Sequence, residues 1–189
     1  MVQHMGNKIS ILGFGGSLRE GSYTRAMLNA AKYLVPQDAE IEIFDIKDIP
    51  VFNEDLLPDP PQAVKSFREK IKGADAILVS TPEYNYSVPG YLKNAIDWVS
   101  RPYSDNAFDD KPVAIMSGGG MLGGSRAQYH LRQVFVFLNA HLLNKPEVIV
   151  PFMQQKIGED GTVADEHTRE KIGELLVALV AWTRRIGRG

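Results

Sequence analysis

Cysteine is absent from the 189 residues. Its absence removes disulfides, thiolate metal sites, iron–sulfur clusters and a cysteine nucleophile together. Long apolar runs are absent too: no stretch approaches the roughly 18 uninterrupted apolar residues of a membrane span, and the opening MVQHMGNK lacks the apolar core of a signal peptide. No membrane insertion is expected, and the cytoplasm is the expected location. A basic block is also missing, and the net charge is −2 with pI near 6.1, so nothing electrostatic recommends nucleic acid or an anionic membrane as partner. The four histidines, His4, His130, His141 and His167, form no metal-ligand spacing, and no metal is expected. Two nucleotide signatures fail at one place. From Gly13, Leu18 stands where the dinucleotide fingerprint G-x-G-x-x-G needs its third glycine. From Gly16, Ser22 and Tyr23 stand where the triphosphate loop needs lysine and a hydroxyl.

What is present suits one domain over residues 1–189, with 44% hydrophobic residues available for a single core. Residues 1–6 are set aside, because Met5 reads as a natural start behind an added segment. Short apolar runs bounded by turn residues alternate with helical patterns. KISILGF (8–14) predicts a strand buried on both faces, and SYTRAMLNAAKYLV (22–35) a helix. EIEIFDI (40–46) alternates and predicts a more exposed strand near an edge. A helix over 61–74, a strand over 75–81, a helix over 87–101 and a strand over 111–120 follow. The pattern closes with a helix over 125–142, a strand over 146–152 and a helix over 165–186. Five strands alternating with helices predict an α/β, doubly wound parallel sheet covered by helices on both faces. Two connections, 50–61 and 101–110, are longer than usual, which marks them as functional candidates.

In open sheets of this class ligands collect beyond the C-terminal strand ends, at the point where strand order reverses. Three of those ends are chemically unusual. FGGSLREGSYTR (14–25) offers hydroxyls at Ser17, Ser22 and Thr24, a guanidinium at Arg19 and backbone N–H groups at the mouth of a helix, a set suited to a terminal phosphate. A turn with a serine helix cap would also account for Gly16, Gly21 and Ser22, but leaves Arg19 without a role. TPEYNYSVPG (81–90) is a stiff loop whose two tyrosines can wall a planar, hydrogen-bonding ring; it reads equally as a proline-bracketed turn. SGGGMLGGS (117–125) lets backbone approach a ligand closely, or simply turns before a helix. In the flavodoxin-like order 2-1-3-4-5 these three loops are neighbours, and a single ligand touching all of them would need a phosphate tail and a flat ring. FMN has that shape.

GSLREGSYTR, TPEYNYSVPGYLKNAIDWVSRP and KPVAIMSGGGMLGGSRAQYHLRQVFVFLNAHLLNKPEV resemble the NADPH-dependent FMN reductase family, most closely its quinone and chromate reductase branch, across residues 8–151. The resemblance implies a flavodoxin-like fold, tightly but non-covalently bound FMN, and NADH or NADPH as donor. It implies hydride passage from nicotinamide C4 to flavin N5, then ping-pong reduction of quinones, chromate, ferric complexes or other small acceptors. Carried over by motif, Ser17, Arg19, Ser22, Tyr23 and Thr24 would surround the phosphate. Pro82, Glu83, Tyr84, Asn85 and Tyr86 would edge the isoalloxazine, with Ser117, Gly118, Gly119 and Gly120 beside its pyrimidine end. No protein residue is expected to carry the chemistry itself. Arg101 is a candidate for the donor's phosphates, and equally for a helix C-terminal cap. Members of the family are homodimers or homotetramers, which makes the helix with Arg126, Tyr129, Arg132 and Gln133 a candidate interface. A non-catalytic FMN electron carrier or redox sensor is the rival reading, although carriers are strongly acidic and −2 is mild.

Overall fold

The computed structural model describes residues 8–187. Residues 1–6, set aside above, and with them His4, lie outside the described residues.

The chain runs β1 (Ile9–Gly15), α1 (Tyr23–Leu34), β2 (Ala39–Ile43), α2 (Gln62–Gly73), β3 (Ala76–Thr81), α3 (Gly90–Val99), β4 (Pro112–Gly118), α4 (Ser125–Phe137), β5 (His141–Leu142), β6 (Val148–Val150) and α5 (Glu166–Ile186). All pairings in the sheet are parallel, in the order β2-β1-β3-β4-β5, and β6 also pairs with β4. The doubly wound order expected from sequence is present, with a sixth strand.

Successive side chains of a strand point to opposite faces, so each continuous apolar run feeds two cores. Leu12, Phe14, Ile77, Val79, Val113 and Ile115 pack beneath α2, α3 and α4. Their neighbours Ile11, Leu78, Ala114 and Met116 pack beneath α1 and α5. Phe67 of α2 meets Phe14 edge-on, with ring centroids 5.1 Å apart, and stacks on Phe44 at 4.9 Å. β2 forms one sheet edge and alternates in burial, as its sequence suggested.

One boundary differs from the periodicity. The expected helix over 125–142 stops at Phe137, where Asn139 turns left-handed with φ 54°. The amide of His141 then donates to Lys111 O at 2.8 Å and opens β5. The expected fifth strand over 146–152 is present as β6, and β5 is an added two-residue strand taken from the end of the expected helix. The two long connections pack rather than line a site: Phe52 packs edge-on against Trp98, and Pro50 O accepts from the Trp98 indole at 2.8 Å. Asp105, in the other connection, pairs with Arg68 and Lys72 of α2. Among the described residues no helix is long and apolar enough to cross a membrane, and no three acidic or imidazole side chains cluster as a metal site would require.

Candidate functional site

β1, β3 and β4 end in register, Gly15 beside Ser80 and Thr81 beside Ser117, so the loops that follow them open side by side. Winding reverses between β1 and β3, and a cleft of about 550 Å³ lies there, within the roughly 300–1,000 Å³ of small-molecule sites.

The first loop enters the cleft because residue 16 is glycine: a Cβ at Gly16 would stand 3.0 Å from Leu92 Cδ2 and 3.3 Å from Pro82 Cδ. Ser22 caps α1, its hydroxyl accepting from the Arg25 amide at 3.3 Å and lying 3.0 Å from Thr24 Oγ1. The amides of Tyr23 and Thr24 have no protein acceptor among the described residues, and the first turn of α1 carries no acidic side chain. Arg19 rests over the Tyr23 ring at 4.6 Å and has no carboxylate partner among the described residues. Ser17, Arg19, Ser22, Tyr23 and Thr24 all line the cleft. Helix dipole, open amides and a free guanidinium together favour an anion at this end.

The second loop is a tight turn. Tyr84 and Ser87 exchange backbone hydrogen bonds of 3.0 Å in both directions, and the central pair, Asn85 and Tyr86, has φ 49° and 68°. Two positive φ values define a type I′ turn, and a tyrosine at the second is an uncommon, costly choice. The surroundings explain how it is held. Arg126 of α4 lies 3.6 Å over the Tyr86 ring and pairs with the Glu83 carboxylate, which also accepts from the Arg126 amide at 3.0 Å. Ser87 Oγ lies 2.8 Å from His130 Nδ1, one turn further along α4. Glu83 thereby closes the N-terminus of α4, and the loop is clamped to that helix. Tyr84 reaches across the cleft, its hydroxyl 3.4 Å from Ser17 Oγ.

The glycine loop supplies the floor. Gly123 and Gly124 have φ 57° and 83°, and a Cβ at Gly123 would meet Pro151 N at 2.8 Å, so the turn requires glycine there. Gly120 has open space around it, and its amide, with those of Met121 and Leu122, has no protein acceptor among the described residues.

Of the residues singled out in the sequence, Pro82, Glu83, Tyr84, Gly118, Gly119 and Gly120 join the first loop around the cleft. Asn85 and Tyr86 form the turn tip and do not line it. Ser117 is fully buried under the floor, where its hydroxyl accepts from Gln128 Nε2 at 2.9 Å. Arg101 is not brought to this cleft. α3 runs back along the sheet, and its ten residues span about 15 Å. Arg101 ends over the Tyr103 ring at 4.0 Å, beside Phe52. The sequence reading did not place Arg126, Met121 or Leu122 at the site. An acidic residue inside an aromatic loop calls for a cation to offset its burial, but the sequence does not say which of the chain's cations supplies it.

The chain is similar to known proteins over most of its length. The family model for NADPH-dependent FMN reductase matches residues 9–155. An NAD(P)H-dependent FMN reductase of Pseudomonas aeruginosa is 51% identical over 185 residues, covering 96% of this chain and 99% of the relative. An NAD(P)H:quinone oxidoreductase of Solanum tuberosum is 47% identical over 180 residues, covering 92% of each. Among solved structures, the flavoenzyme NAD(P)H:(acceptor) oxidoreductase FerB of Paracoccus denitrificans superposes with a TM-score of 0.85 at 32% identity, covering 94% of this chain and 98% of that one. By sequence and by fold, this chain belongs to the NADPH-dependent FMN reductase family.

Proposed function

We propose that the protein is an FMN-dependent NAD(P)H:acceptor oxidoreductase, built as a single domain, that reduces quinones and also chromate, ferric complexes or other small acceptors in a ping-pong cycle. The observation that carries this is Arg19, without a carboxylate partner among the described residues, beside the open N-terminus of α1, in one cleft with an aromatic wall and an open glycine floor. The residues fit FMN: hydroxyls, a guanidinium and open helix N-terminal amides at one end of the cleft suit a phosphate, and Gly120, Met121 and Leu122, whose amides have no protein acceptor among the described residues, line the same cleft and suit a hydrogen-bonding ring.

When bound, FMN supplies two-electron transfer between pyridine nucleotide and acceptor. The chain's own residues do the rest. Arg19, Ser17, Ser22 and Thr24 hold the phosphate, with Tyr23 supporting the Arg19 guanidinium. Pro82 and Tyr84 wall the ring, Glu83 and Arg126 keep that wall in place through α4, and Gly118, Gly119 and Gly120 admit the ring close to backbone. Asn85, Tyr86 and Ser117 act from behind, as the turn and the floor support. None of these groups needs to transfer a proton for the cofactor to be held.

A second copy of the chain is the proposed partner. α4 leaves Tyr129, Val136 and Phe137 exposed along one side, with Tyr103 edge-on to Phe137 at 5.5 Å, and Arg126 on the same helix lines the cleft. A contact on that face would bring the partner up to the tyrosine wall. The proposed location is the cytoplasm, where NADH and NADPH are available.

Absorbance of the purified protein tests the cofactor: flavin bands before or after adding FMN are expected, and their absence in both would overturn the reading. Steady-state oxidation of NADH and NADPH with a benzoquinone tests the reaction. Bound flavin without turnover would favour an electron carrier or sensor instead.

A further inference from the structure

Four of the chain's six methionines fall within the described residues, in two environments. Met27, Met116 and Met153 are fully buried. Met27 and Met153 support the floor from beneath, since a Cβ on Gly118 would stand 3.0 Å from Met27 Sδ and 3.3 Å from Met153 Cγ. Met121 is 71% exposed and lines the cleft from the glycine loop, next to the exposed Leu122. An exposed apolar side chain normally needs no explanation. A thioether facing the compartment where electrons leave a reduced cofactor is different, because sulfur is the most readily oxidised atom among the cleft's side chains.

We propose that Met121 is a modification site, oxidised to the sulfoxide by peroxide formed in the cleft during aerobic turnover. This rests on the flavin reading of the site. Dioxygen is a small two-electron acceptor that an open cleft does not exclude. Two electrons originating from NAD(P)H and two protons convert it to hydrogen peroxide. A lone pair on Met121 Sδ attacks one peroxide oxygen, an S–O bond forms and the O–O bond breaks. The departing hydroxide takes the proton carried by the sulfur-bound oxygen and leaves as water, with sulfur oxidised by two electrons and peroxide reduced by two. The three buried methionines see the same solution and lack its access, so the chain carries its own controls. The product replaces a flexible apolar side chain at the mouth with a polar, chiral one, which disfavours apolar acceptors there and is reversible by methionine sulfoxide reductases.

Peptide mass spectrometry of the FMN-loaded enzyme tests this in three arms: NADH under air, added hydrogen peroxide in equal total amount without NADH, and NADH with excess quinone without oxygen. Flavin absorbance and NADH consumption are recorded in the same samples. Met121 sulfoxide is expected to form about tenfold faster than sulfoxide at Met27, Met116 or Met153 in the first arm, about fivefold faster there than in the second, and not at all in the third. Equal rates in the first two arms, or equal rates at all four methionines, would overturn the proposal while leaving the flavin reading intact. Samples without flavin bands or NADH consumption would overturn both. A functional readout accompanies the masses: after aerobic turnover the quinone KM of the parent is expected to rise about twofold, whereas that of Met121→Leu stays at its own starting value. A matching rise in the variant would place the damage elsewhere.

Discussion

α1 and α5 lie side by side on one face of the sheet, and their N-termini are finished in opposite ways. At α5 the chain closes the end itself. Asp165 accepts from the Thr168 amide at 2.9 Å, its carboxylate also binds the Thr168 hydroxyl and Lys156, and Glu166 adds a second negative charge in the first turn. At α1 the cap is the neutral Ser22, the first turn holds no acid, and the adjacent Arg19 has no carboxylate partner among the described residues. The same helix geometry therefore yields a terminus satisfied by a carboxylate in one case and one that leaves two amides without a protein acceptor among the described residues in the other, which favours an anion there. The difference lies in a single choice, carboxylate or hydroxyl, reinforced by the free guanidinium.

Breaking the open end should give the largest effect. Arg19→Ala is expected to raise the FMN dissociation constant about hundredfold, the scale of a lost charge-assisted bidentate contact, with an unchanged unfolding midpoint. Fluorescence titration beside thermal melting checks this, and equal FMN retention would remove Arg19 from the phosphate site. On α2, against the C-terminal end of α3, the same residue type works differently. Arg68 donates to Val99 O and Arg101 O at 2.8 Å each and pairs with Asp105, so Arg68→Ala is expected to cost about 2 kcal/mol of stability while FMN affinity holds. Urea unfolding with and without FMN separates the two outcomes.

The closed end should respond more mildly. Asp165→Ala is expected to cost about 1 kcal/mol, the usual loss for an N-cap. Its pH signature is specific. The Thr168 hydroxyl, then Lys156 and the Thr168 amide, hold the Asp165 carboxyl down from its ordinary 3.8 to about 2. Between those values the unfolded chain binds more protons, so stability rises with pH. The Asp165 contribution is complete above about pH 4 and is lost as pH falls toward about 2. Unfolding curves across that window should be flatter in the variant. The smallest effect is expected at Arg101, which stacks on Tyr103 away from the cleft. Arg101→Ala should shift the KM for NADH or NADPH by less than about twofold, within the range of surface substitutions. A tenfold rise would show that Arg101 reaches a donor site in the assembled protein.

Much of this contrast was legible before folding. Continuous apolar runs such as AILV named the doubly buried strands, since a strand covered on both faces favours apolar residues at successive positions. The chemistry of the first loop was equally plain, because its hydroxyls and arginine sit immediately before a helical pattern. VFVFLNAHLL was harder. Its apolar spacing continues the helix on paper, yet His141 leaves it to pair with β4, and Trp182 of α5 donates to His141 O at 2.9 Å. Pattern alone does not register a partner strand or an indole arriving from 41 residues away. The long connections over 50–61 and 101–110 misled for a related reason: their length serves to reach Trp98 and α2.

The sequence by itself determined the layered parallel sheet and the donor chemistry of three loops, because burial on two faces and the spacing of turns are local properties of the chain; the strand order came with the resemblance to a flavodoxin-like family. Only the tertiary structure decided which charges remain free. Glu83 and Arg126 find each other across 43 residues, Arg68 is consumed by the end of α3, Ser117 is drawn under the floor by Gln128, and Arg19 is left open to the cleft. An ion pair or hydrogen bond depends on approach to within about 3 Å, and that approach is set by how the elements pack rather than by their order along the chain.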